Sequence, residues 1–355
     1  MNPDFVKLTG FQILVFLFFF ILVMTSRNSR LHNSLAFEVS NPTEIFLNDL
    51  TELSEVTEIL LNADLEFQGD EFVWAAQTLG WRRFRPGRYL LSGSYSYQGL
   101  LSKLARGLQD PVSVTILPGS DPGRLSLSLS RQLRADSLSF ALVFSDDSSL
   151  VSELEMMPLE LFSRMLPNTY EMFWTSAPEA VVRRLLSEFD RAVTYRFFDG
   201  QSDSPLSLSE VITLASIVEW EARFDHEKPR IAGLYLNRLE RGMMLQADPT
   251  VAFALGERRR LLFEDYRIDH PFNTYRITGL PPAPITNPSL TSILAVLNPE
   301  EHSYLYMVAT PEGTHRFSRT FEEHRIASDE WRRWLREQLR IRRERESRGE
   351  DPVVN

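Results

Sequence analysis

The segment ASIVEWEA, residues 215–222, ends an apolar run with two acidic side chains, Glu219 and Glu221. Upstream, Ser207 is followed three residues later by Glu210, which is the spacing of a capping box and predicts that a helix begins at Ser207. At about 100° per residue, Glu221 falls within the aliphatic arc of this helix, and Glu219 falls nearer the edge of the arc.

A carboxyl group packed against aliphatic side chains loses water, and this loss raises its pKa. A carboxylic acid with a raised pKa can protonate a glycosidic oxygen near neutral pH. The alternative is that both glutamates pair with arginines such as Arg223 or Arg238, or that they end an exposed helix. The helix by itself does not separate these possibilities.

The overall composition indicates a globular, acidic protein. Of 355 residues, 43% are hydrophobic and 24% are charged, and the formal net charge is −10. This charge argues against nucleic acid as the main partner, because phosphate binding requires a basic surface. The chain has no cysteine, which excludes disulfides and thiolate chemistry. The six histidines show no H-E-x-x-H or comparable spacing, which argues against a metal hydrolase.

The N-terminal stretch LTGFQILVFLFFFILVMT, residues 8–25, carries no charge. At about 1.5 Å per residue, it nearly crosses a hydrocarbon core of about 30 Å. No small-residue cleavage site follows it. We therefore expect residues 1–27 to form a cytoplasmic tip and a single uncleaved transmembrane anchor, with a cleaved signal or a buried core helix as the alternatives. The flanking basic residues barely favour either orientation.

The remaining sequence predicts an α+β protein. Residues 28–45 show little pattern and are expected to be a linker. Residues 46–118 alternate helical and strand-like pieces, typical of a small α/β module. Within this module, the stretch 94–108 predicts a helix with four leucines on one face, at positions 100, 101, 104 and 108.

Residues 119–335 are expected to form the second and larger domain. Its first part, to about residue 200, looks mostly helical, apart from an extended segment within 166–173. The last 20 residues, 336–355, are strongly charged and predict a solvated helix that frays into a tail.

Three motifs follow the glutamate helix. In LQADPTV, residues 245–251, Asp248 is expected to be a helix N-cap with Pro249 at the first helical position. The stretch NTYRITGLPPAPITNPS, residues 273–289, is too rich in proline for a helix or a central strand, so it predicts an ordered loop that lines a cleft. YLYMVA and THRFSR, within residues 304–319, flank a turn and predict a β-hairpin.

The order of these motifs resembles the endolytic murein transglycosylase (YceG-like) family. The resemblance runs from roughly residue 80 to residue 330 and includes the N-terminal anchor. The segments that carry it are ASIVEWEA, NRL, LQADPTV, NTYRITGLPP and the G-x-H-x-F stretch from Gly313 to Phe317.

The resemblance implies a mixed α/β YceG-like catalytic domain preceded by a small LysM-like module at residues 46–118. It also implies an anchor in the cell inner (plasma) membrane with the catalytic domain outside the cytoplasm. The implied reaction cleaves nascent peptidoglycan strands between N-acetylmuramic acid and N-acetylglucosamine and leaves 1,6-anhydro-muramyl ends without a cofactor. The family's catalytic glutamate, the second acid of its A-S-I-x-E-x-E stretch, corresponds to Glu221. Cell-wall synthases are the partners that the family suggests.

Candidate substrate-binding residues surround this glutamate in the motifs, and each also has a structural alternative. They are Glu219, Gln246, Asp248, Asn273, Tyr275 and His315. A structural role is favoured for Glu219, and a role within the hairpin is favoured for His315. Trp220 could stack on a sugar ring or pack in the core. The sequence departs from the family pattern at Phe272 and Ala283, where we expect altered substrate contacts.

Two other functions remain open on the sequence. A hydrolytic muramidase would need a second carboxylate, which Asp248 or Glu219 could supply. A non-catalytic peptidoglycan-binding scaffold would keep the fold and lose the chemistry, although the intact glutamate motif argues against it.

Overall fold

The computed structural model describes residues 3–63, 65–198 and 205–347. The chain divides into two compact units. The first unit comprises Met1–Val114, Gln132–Ala135 and Tyr170–Ser176, and the second comprises Thr115–Arg131, Asp136–Thr169 and Ala177–Asn355.

The elements of the first part of the chain alternate helices and strands, as the α+β expectation required. In chain order they are α1 (Pro3–His32), β1 (Phe37–Leu47), β2 (Thr51–Glu52), α2 (Leu53–Asn62), β3 (Glu66–Phe67), α3 (Gly69–Leu79), β4 (Arg83–Phe84), β5 (Gly87–Tyr95), α4 (Tyr97–Arg106) and β6 (Val112–Ile116). A three-stranded antiparallel sheet has the order β3-β1-β5, and β2 pairs with β4.

Helix α1 contains a segment that is long and apolar enough to cross a membrane. This segment, Phe11–His32, has a mean hydropathy of 1.8 and is 0% buried. Its position agrees with the expected anchor, but the helix continues beyond residue 27. Leu31, near its end, is buried and belongs to the core of the first unit.

The prediction that residues 28–45 form a linker is wrong. Strand β1 occupies the centre of the three-stranded sheet, and its residues Phe37, Val39, Ile45 and Leu47 are buried. The alternation that identifies a strand is interrupted, because the pairing of β1 with β5 shifts register between Val39 and Thr43. This irregularity hides the two-residue period in the sequence.

Helix α4 confirms the leucine-rich helix, with one correction at its end. Its N-cap is Ser96, whose side chain accepts a hydrogen bond from the backbone amide of Gly99, and three of the four leucines are buried. The fourth, Leu108, is 57% exposed. The helix ends before it, because Gly107 adopts a left-handed conformation with φ of 71°, a backbone state that glycine adopts without strain.

The second part of the chain is mostly helical. In chain order its elements are α5 (Pro122–Gln132), α6 (Ser137–Val143), α7 (Ser149–Leu154), α8 (Pro158–Ser163), β7 (Asn168–Met172), α9 (Pro178–Phe189), α10 (Tyr195–Phe198), α11 (Leu208–Glu221), α12 (Lys228–Glu240), α13 (Asp248–Leu255), α14 (Leu290–Leu297), β8 (Tyr306–Ala309), β9 (His315–Ser318) and α15 (Phe321–Ser347). Strand β6 pairs with β7, and β8 pairs with β9.

Helix α11 is the central helix of the second unit. The capping box is confirmed, because Ser207 Oγ accepts from the Glu210 amide while Glu210 Oε2 accepts from the Ser207 amide at 2.8 Å. All residues from Val211 to Val218 are buried, and α11 packs against α12, α13 and α14. The apolar arc expected from the sequence therefore extends around the whole helix, as in a core helix.

The hairpin and the C-terminal helix agree with the sequence in position. Strands β8 and β9 are antiparallel, with Met307 opposite Phe317 and Ala309 opposite His315. The charged segment that begins at residue 336 continues helix α15 without a break to Ser347. The rest of the expected tail, residues 348–355, lies outside the described residues.

Candidate active site

Glu221, the last residue of α11, has an enclosed carboxyl group. The hydroxyl of Tyr235, which is 1% exposed on α12, donates a hydrogen bond to Glu221 Oε1 at 2.8 Å. Burial is the largest influence on Glu221 and raises its pKa to about 7, while the Tyr235 hydrogen bond opposes the rise and the charge of Asp248 adds to it. This side chain can therefore be both a proton donor and a proton acceptor near neutral pH.

Glu219 lies two residues earlier on the same helix, and its pKa is shifted in the opposite direction. Its Oε2 accepts hydrogen bonds from the amide and hydroxyl of Ser289 at 2.9 and 2.5 Å, and from Ser292 Oγ at 2.6 Å. Lys228, 5% exposed as a side chain, pairs with it at 3.3 Å. Burial alone would raise the pKa of Glu219, but these partners outweigh burial and lower it. Its carboxylate holds the N-terminus of α14, which supports the structural role.

Asp248 is not the N-cap that the sequence indicated. The N-cap of α13 is Ala247, in an extended conformation, and Asp248 is the first helical residue. Its carboxylate instead accepts from two phenols, Tyr275 at 2.6 Å and Tyr266 at 3.2 Å. The rings of Tyr266 and Tyr275 lie 4.6 Å apart. The proline-rich loop thus brings Tyr275 to the carboxylate, whereas no sequence signal identified Tyr266.

Glu221 and Asp248 both line two cavities within the second unit. The smaller cavity, about 340 Å³, is also lined by Tyr235, Gln246, Tyr275 and His315 among others. The larger cavity, about 980 Å³, is also lined by Trp220, Arg258, Arg260 and Trp331 among others. The wall that the two cavities share therefore includes both acidic residues.

Arg238, from the NRL motif, supports the smaller cavity. It is 7% exposed and donates to the carbonyls of Leu305 at 2.6 Å and Leu245 at 2.7 Å. It also reaches Gln246 Oε1 at 3.4 Å. Gln246 has a φ of 51°, a left-handed conformation that costs about 1–3 kcal/mol and occurs preferentially at functional sites. Arg238 thus fixes a strained residue at the cavity wall and does not form the ion pair considered from the sequence.

His315, the first residue of β9, is held by a buried acid. Its amide donates to Glu227 Oε1 at 2.8 Å, and its Nδ1 lies 3.3 Å from Glu227 Oε2. Glu227 is 5% exposed. The hairpin histidine is satisfied by this partner, as the structural alternative expected, and its ring still lines the smaller cavity.

Comparison with known proteins identifies the family. The model of the YceG-like family matches residues 46–330. The chain belongs to the YceG-like family. Two relatives bear the name endolytic murein transglycosylase. That of Bacillus subtilis (strain 168) is 26% identical over 297 residues, covering 79% of this chain and 82% of the relative. That of Streptococcus pneumoniae (strain ATCC BAA-255 / R6) is 27% identical over 307 residues, covering 77% of this chain but only 55% of the relative.

A solved structure agrees with the family assignment. The crystal structure of a YceG-like protein from Listeria monocytogenes matches with a TM-score of 0.56 and 27% identity, covering 80% of this chain and 97% of that chain. In this YceG-like chain, all the cavity-lining residues named above except Trp331 lie within the range that the family model matches.

Asn273 is not among the residues that line the two cavities of this YceG-like fold. It is 0% exposed, and its amide donates to the carbonyls of Tyr266 at 3.1 Å and Ile268 at 2.8 Å. Its Oδ1 accepts from the Tyr275 amide at 3.0 Å. These contacts favour the structural alternative for Asn273, because they stabilise the loop that presents both tyrosines, and its sugar-binding role stays a prediction.

The two departures from the family pattern lie in the core. Phe272 is 8% exposed, and its ring centroid lies 4.6 Å from that of Phe253. Ala283 is 4% exposed. Both side chains belong to the apolar core of the second unit and neither lines the two cavities, so a change in substrate contacts at these positions stays a prediction. Across residues 3–63, 65–198 and 205–347, no group of three or more histidine or acidic side chains is arranged to hold a metal ion.

Proposed function

We propose that this protein is an endolytic peptidoglycan lytic transglycosylase in which Glu221 is the catalytic residue. It cleaves nascent strands between N-acetylmuramic acid and N-acetylglucosamine and leaves 1,6-anhydro-muramyl ends. The observation that carries the proposal is Glu221, whose pKa is raised to about 7 and which lines both cavities. The names of the relatives support the same reaction class.

The mechanism uses one carboxyl group twice. Neutral Glu221 gives its proton to the glycosidic oxygen, the C1–O bond breaks, and the muramyl ring acquires oxocarbenium character. The carboxylate then accepts the proton of the 6-hydroxyl of the same sugar, whose oxygen bonds to C1. Glu221 ends protonated, and no water is consumed. Because the attacking hydroxyl is tethered to the reacting ring, the second step is effectively unimolecular.

Asp248 has a supporting role in this mechanism. Its carboxylate is oriented by Tyr266 and Tyr275 and lines the same cavities as Glu221. A fixed negative charge beside the reacting ring stabilises an oxocarbenium-like transition state. Gln246, Tyr275 and His315 are the side chains that we assign to substrate contacts in the smaller cavity.

The first unit serves to hold the enzyme at its substrate. We assign α1 as the inner-membrane anchor, with the second unit outside the cytoplasm, on the basis of its apolar exposed segment Phe11–His32. We assign residues 46–118 as a LysM-like module that binds glycan strands, and cell-wall synthases as partners, on the family resemblance. The catalytic domain in this assignment is residues 119–335.

A hydrolytic muramidase is the second candidate function. The observation that favours it is that Asp248 lines both cavities with Glu221, as a second carboxylate would in a glycosidase. In that reaction Asp248 would activate water, and the product would carry a reducing muramic acid end.

Product analysis separates the two functions. The full-length protein in detergent would be incubated with peptidoglycan that includes uncrosslinked nascent strands, and the products would be weighed by mass spectrometry. We expect products lighter than hydrolytic ones by the mass of one water, absent with Glu221→Gln and retained with Glu240→Gln, an exposed glutamate on α12. Hydrated ends would establish the muramidase, and binding without any product would establish a scaffold.

A further inference from the structure

The larger cavity has a basic wall in an otherwise acidic protein. The wall is the run Arg258–Arg260, which follows α13 and lines the cavity together with Trp220. The chain has a formal net charge of −10, whereas this wall brings three consecutive arginines to one cavity. Trp331, from α15, adds an aromatic surface to the same cavity.

The three arginines differ in the partners of their guanidinium groups. Arg259 is neutralised by Asp265 at 2.6 Å and by Glu257 at 2.8 Å. Arg258 lies over the Trp220 ring, 3.9 Å from its centroid, and donates to the carbonyl of Gly119. Arg260 is exposed, and within the residues that the structure describes its guanidinium has no ion-pair partner. Neither Arg258 nor Arg260 forms an ion pair with a residue that the structure describes, although Glu219, Glu221 and Asp248 line the same cavity.

The environment of Arg258 supports this interpretation. Burial lowers the pKa of Arg258, the positive charge of Arg124 lowers it further, and the negative charge of Asp121 opposes both effects. Trp220 fixes the plane of one guanidinium, and a guanidinium held in this way presents paired donors that match a carboxylate. An anion is therefore the ligand that this wall fits.

We propose that the larger cavity binds the carboxylates of the peptide stem on the glycan strand, with Arg260 and Arg258 as the ligating side chains. This inference rests on the proposed function and adds a determinant of substrate choice to it. The stem is joined through the lactyl ether to the muramic acid ring. The glycosidic oxygen that Glu221 protonates is bonded to C1 of the same ring. An anion site in a cavity that Glu221 also lines is thus within reach of the stem.

The test compares two substrates that differ only in charge. One is a preparation of uncrosslinked strands with free stem carboxylates, and the other is the same preparation after carbodiimide coupling to ammonia, which converts these carboxylates to amides. We expect the full-length protein to show a higher kcat/KM for the first. Arg260→Gln should lower that preference about tenfold, the equivalent of one charged hydrogen bond, and Arg260→Glu should lower it further. Arg131→Gln, an exposed arginine on α5, should leave it unchanged.

Failure of this inference is distinguishable from failure of the proposed function. If the wild-type protein cleaves strands without discriminating between carboxylate and amide, or if Arg260→Gln reduces both rates equally, the stem site is wrong and the transglycosylase stands. If no strand is cleaved, the stem site is judged by binding of both strand preparations to Glu221→Gln. A preference for carboxylate strands that Arg260→Gln removes supports the site, and equal binding overturns it.

Discussion

The hydroxyl of Tyr235 on α12 donates a 2.8 Å hydrogen bond to Oε1 of Glu221, the last residue of α11. This contact joins two helices of the second unit at the candidate acid. It favours the ionised form of Glu221 and thereby opposes burial, which favours the neutral form. These are the two largest influences on the pKa of Glu221, and the charges of Asp248 and Arg238 add smaller opposing contributions.

The first prediction concerns the pH dependence of the wild-type protein. The first step needs neutral Glu221, so kcat/KM should be constant at acidic pH and fall as pH rises through about 7, the value to which burial raises this pKa. The measurement is kcat/KM on soluble glycan strands across pH 4 to 9, roughly the range in which such groups titrate. A decline centred near the ordinary glutamate value of 4.5 would contradict the assignment.

The second prediction concerns Tyr235→Phe. Removing the hydroxyl removes a bond to the carboxylate, so the pKa of Glu221 should rise and the alkaline decline in kcat/KM should move to higher pH by about one unit. The ring that packs in the core remains, so the melting temperature should change little. Tyr195→Phe, which alters a 63% exposed tyrosine, is the matched control. An unchanged pH profile would show that the Tyr235 hydroxyl does not lower the pKa of Glu221.

The third prediction separates the two glutamates of α11. Glu219→Gln removes the charge that faces buried Lys228 and weakens the bonds to Ser289 and Ser292. It should lower the free energy of unfolding by about 1–3 kcal/mol. Glu221→Gln should lower kcat about 10²- to 10⁴-fold with little loss of stability. Thermal unfolding and product formation are measured on both variants, and a catalytic loss without destabilisation in Glu219→Gln would place Glu219 in the chemistry.

The fourth prediction concerns Asp248→Asn. The negative charge of Asp248 raises the pKa of Glu221, so this pKa should be lower in the variant. The alkaline decline in kcat/KM should therefore occur at a lower pH than in the wild type. Its remaining product should still be the anhydro form, because an internal hydroxyl attacks. Mass spectrometry of the products checks this result. A wild-type protein that yields hydrated ends, together with a variant that yields none, would identify Asp248 as the water base of a muramidase.

The sequence predicted the structural features that depend on interactions between residues close in the chain. The Ser207 capping box, the α4 leucines and the hairpin around Gly313 each depend on residues close in the chain. The neighbours of Glu221 on its own helix were compatible with a desolvated acid, and the family resemblance selected the same residue. Its partner Tyr235 lies 14 residues away and depends on how α11 packs against α12, which helical periodicity does not specify.

The role of Asp248 could not be predicted from the sequence, because it too depends on residues distant in the chain. An aspartate before proline favours an N-cap, but two tyrosines from a loop 18 and 27 residues downstream compete for its carboxylate. The tertiary contact prevails, and Ala247 becomes the N-cap. The candidate acid was therefore predictable from sequence, whereas the polar groups that tune it were not.

The fifth prediction compares two N-terminal truncations and tests the corrected role of residues 28–45. Deleting residues 1–29 keeps β1, the buried Leu31 and the Arg30–Glu71 ion pair at 2.6 Å, so the first unit should keep its fold. Deleting residues 1–47 removes the central strand, which leaves β5 without its pairing partner and uncovers apolar residues such as Leu91.

Hydrogen exchange of β5 amides, read by mass spectrometry on both soluble truncations, is the measurement. We expect slow exchange after the shorter deletion and fast exchange after the longer one, because unpaired strand amides are open to water. Peptides from α11 in the second unit give the internal control and should stay protected in both. Equal protection of β5 in the two truncations would mean that residues 37–47 are dispensable and act as the linker that their interrupted pattern first indicated.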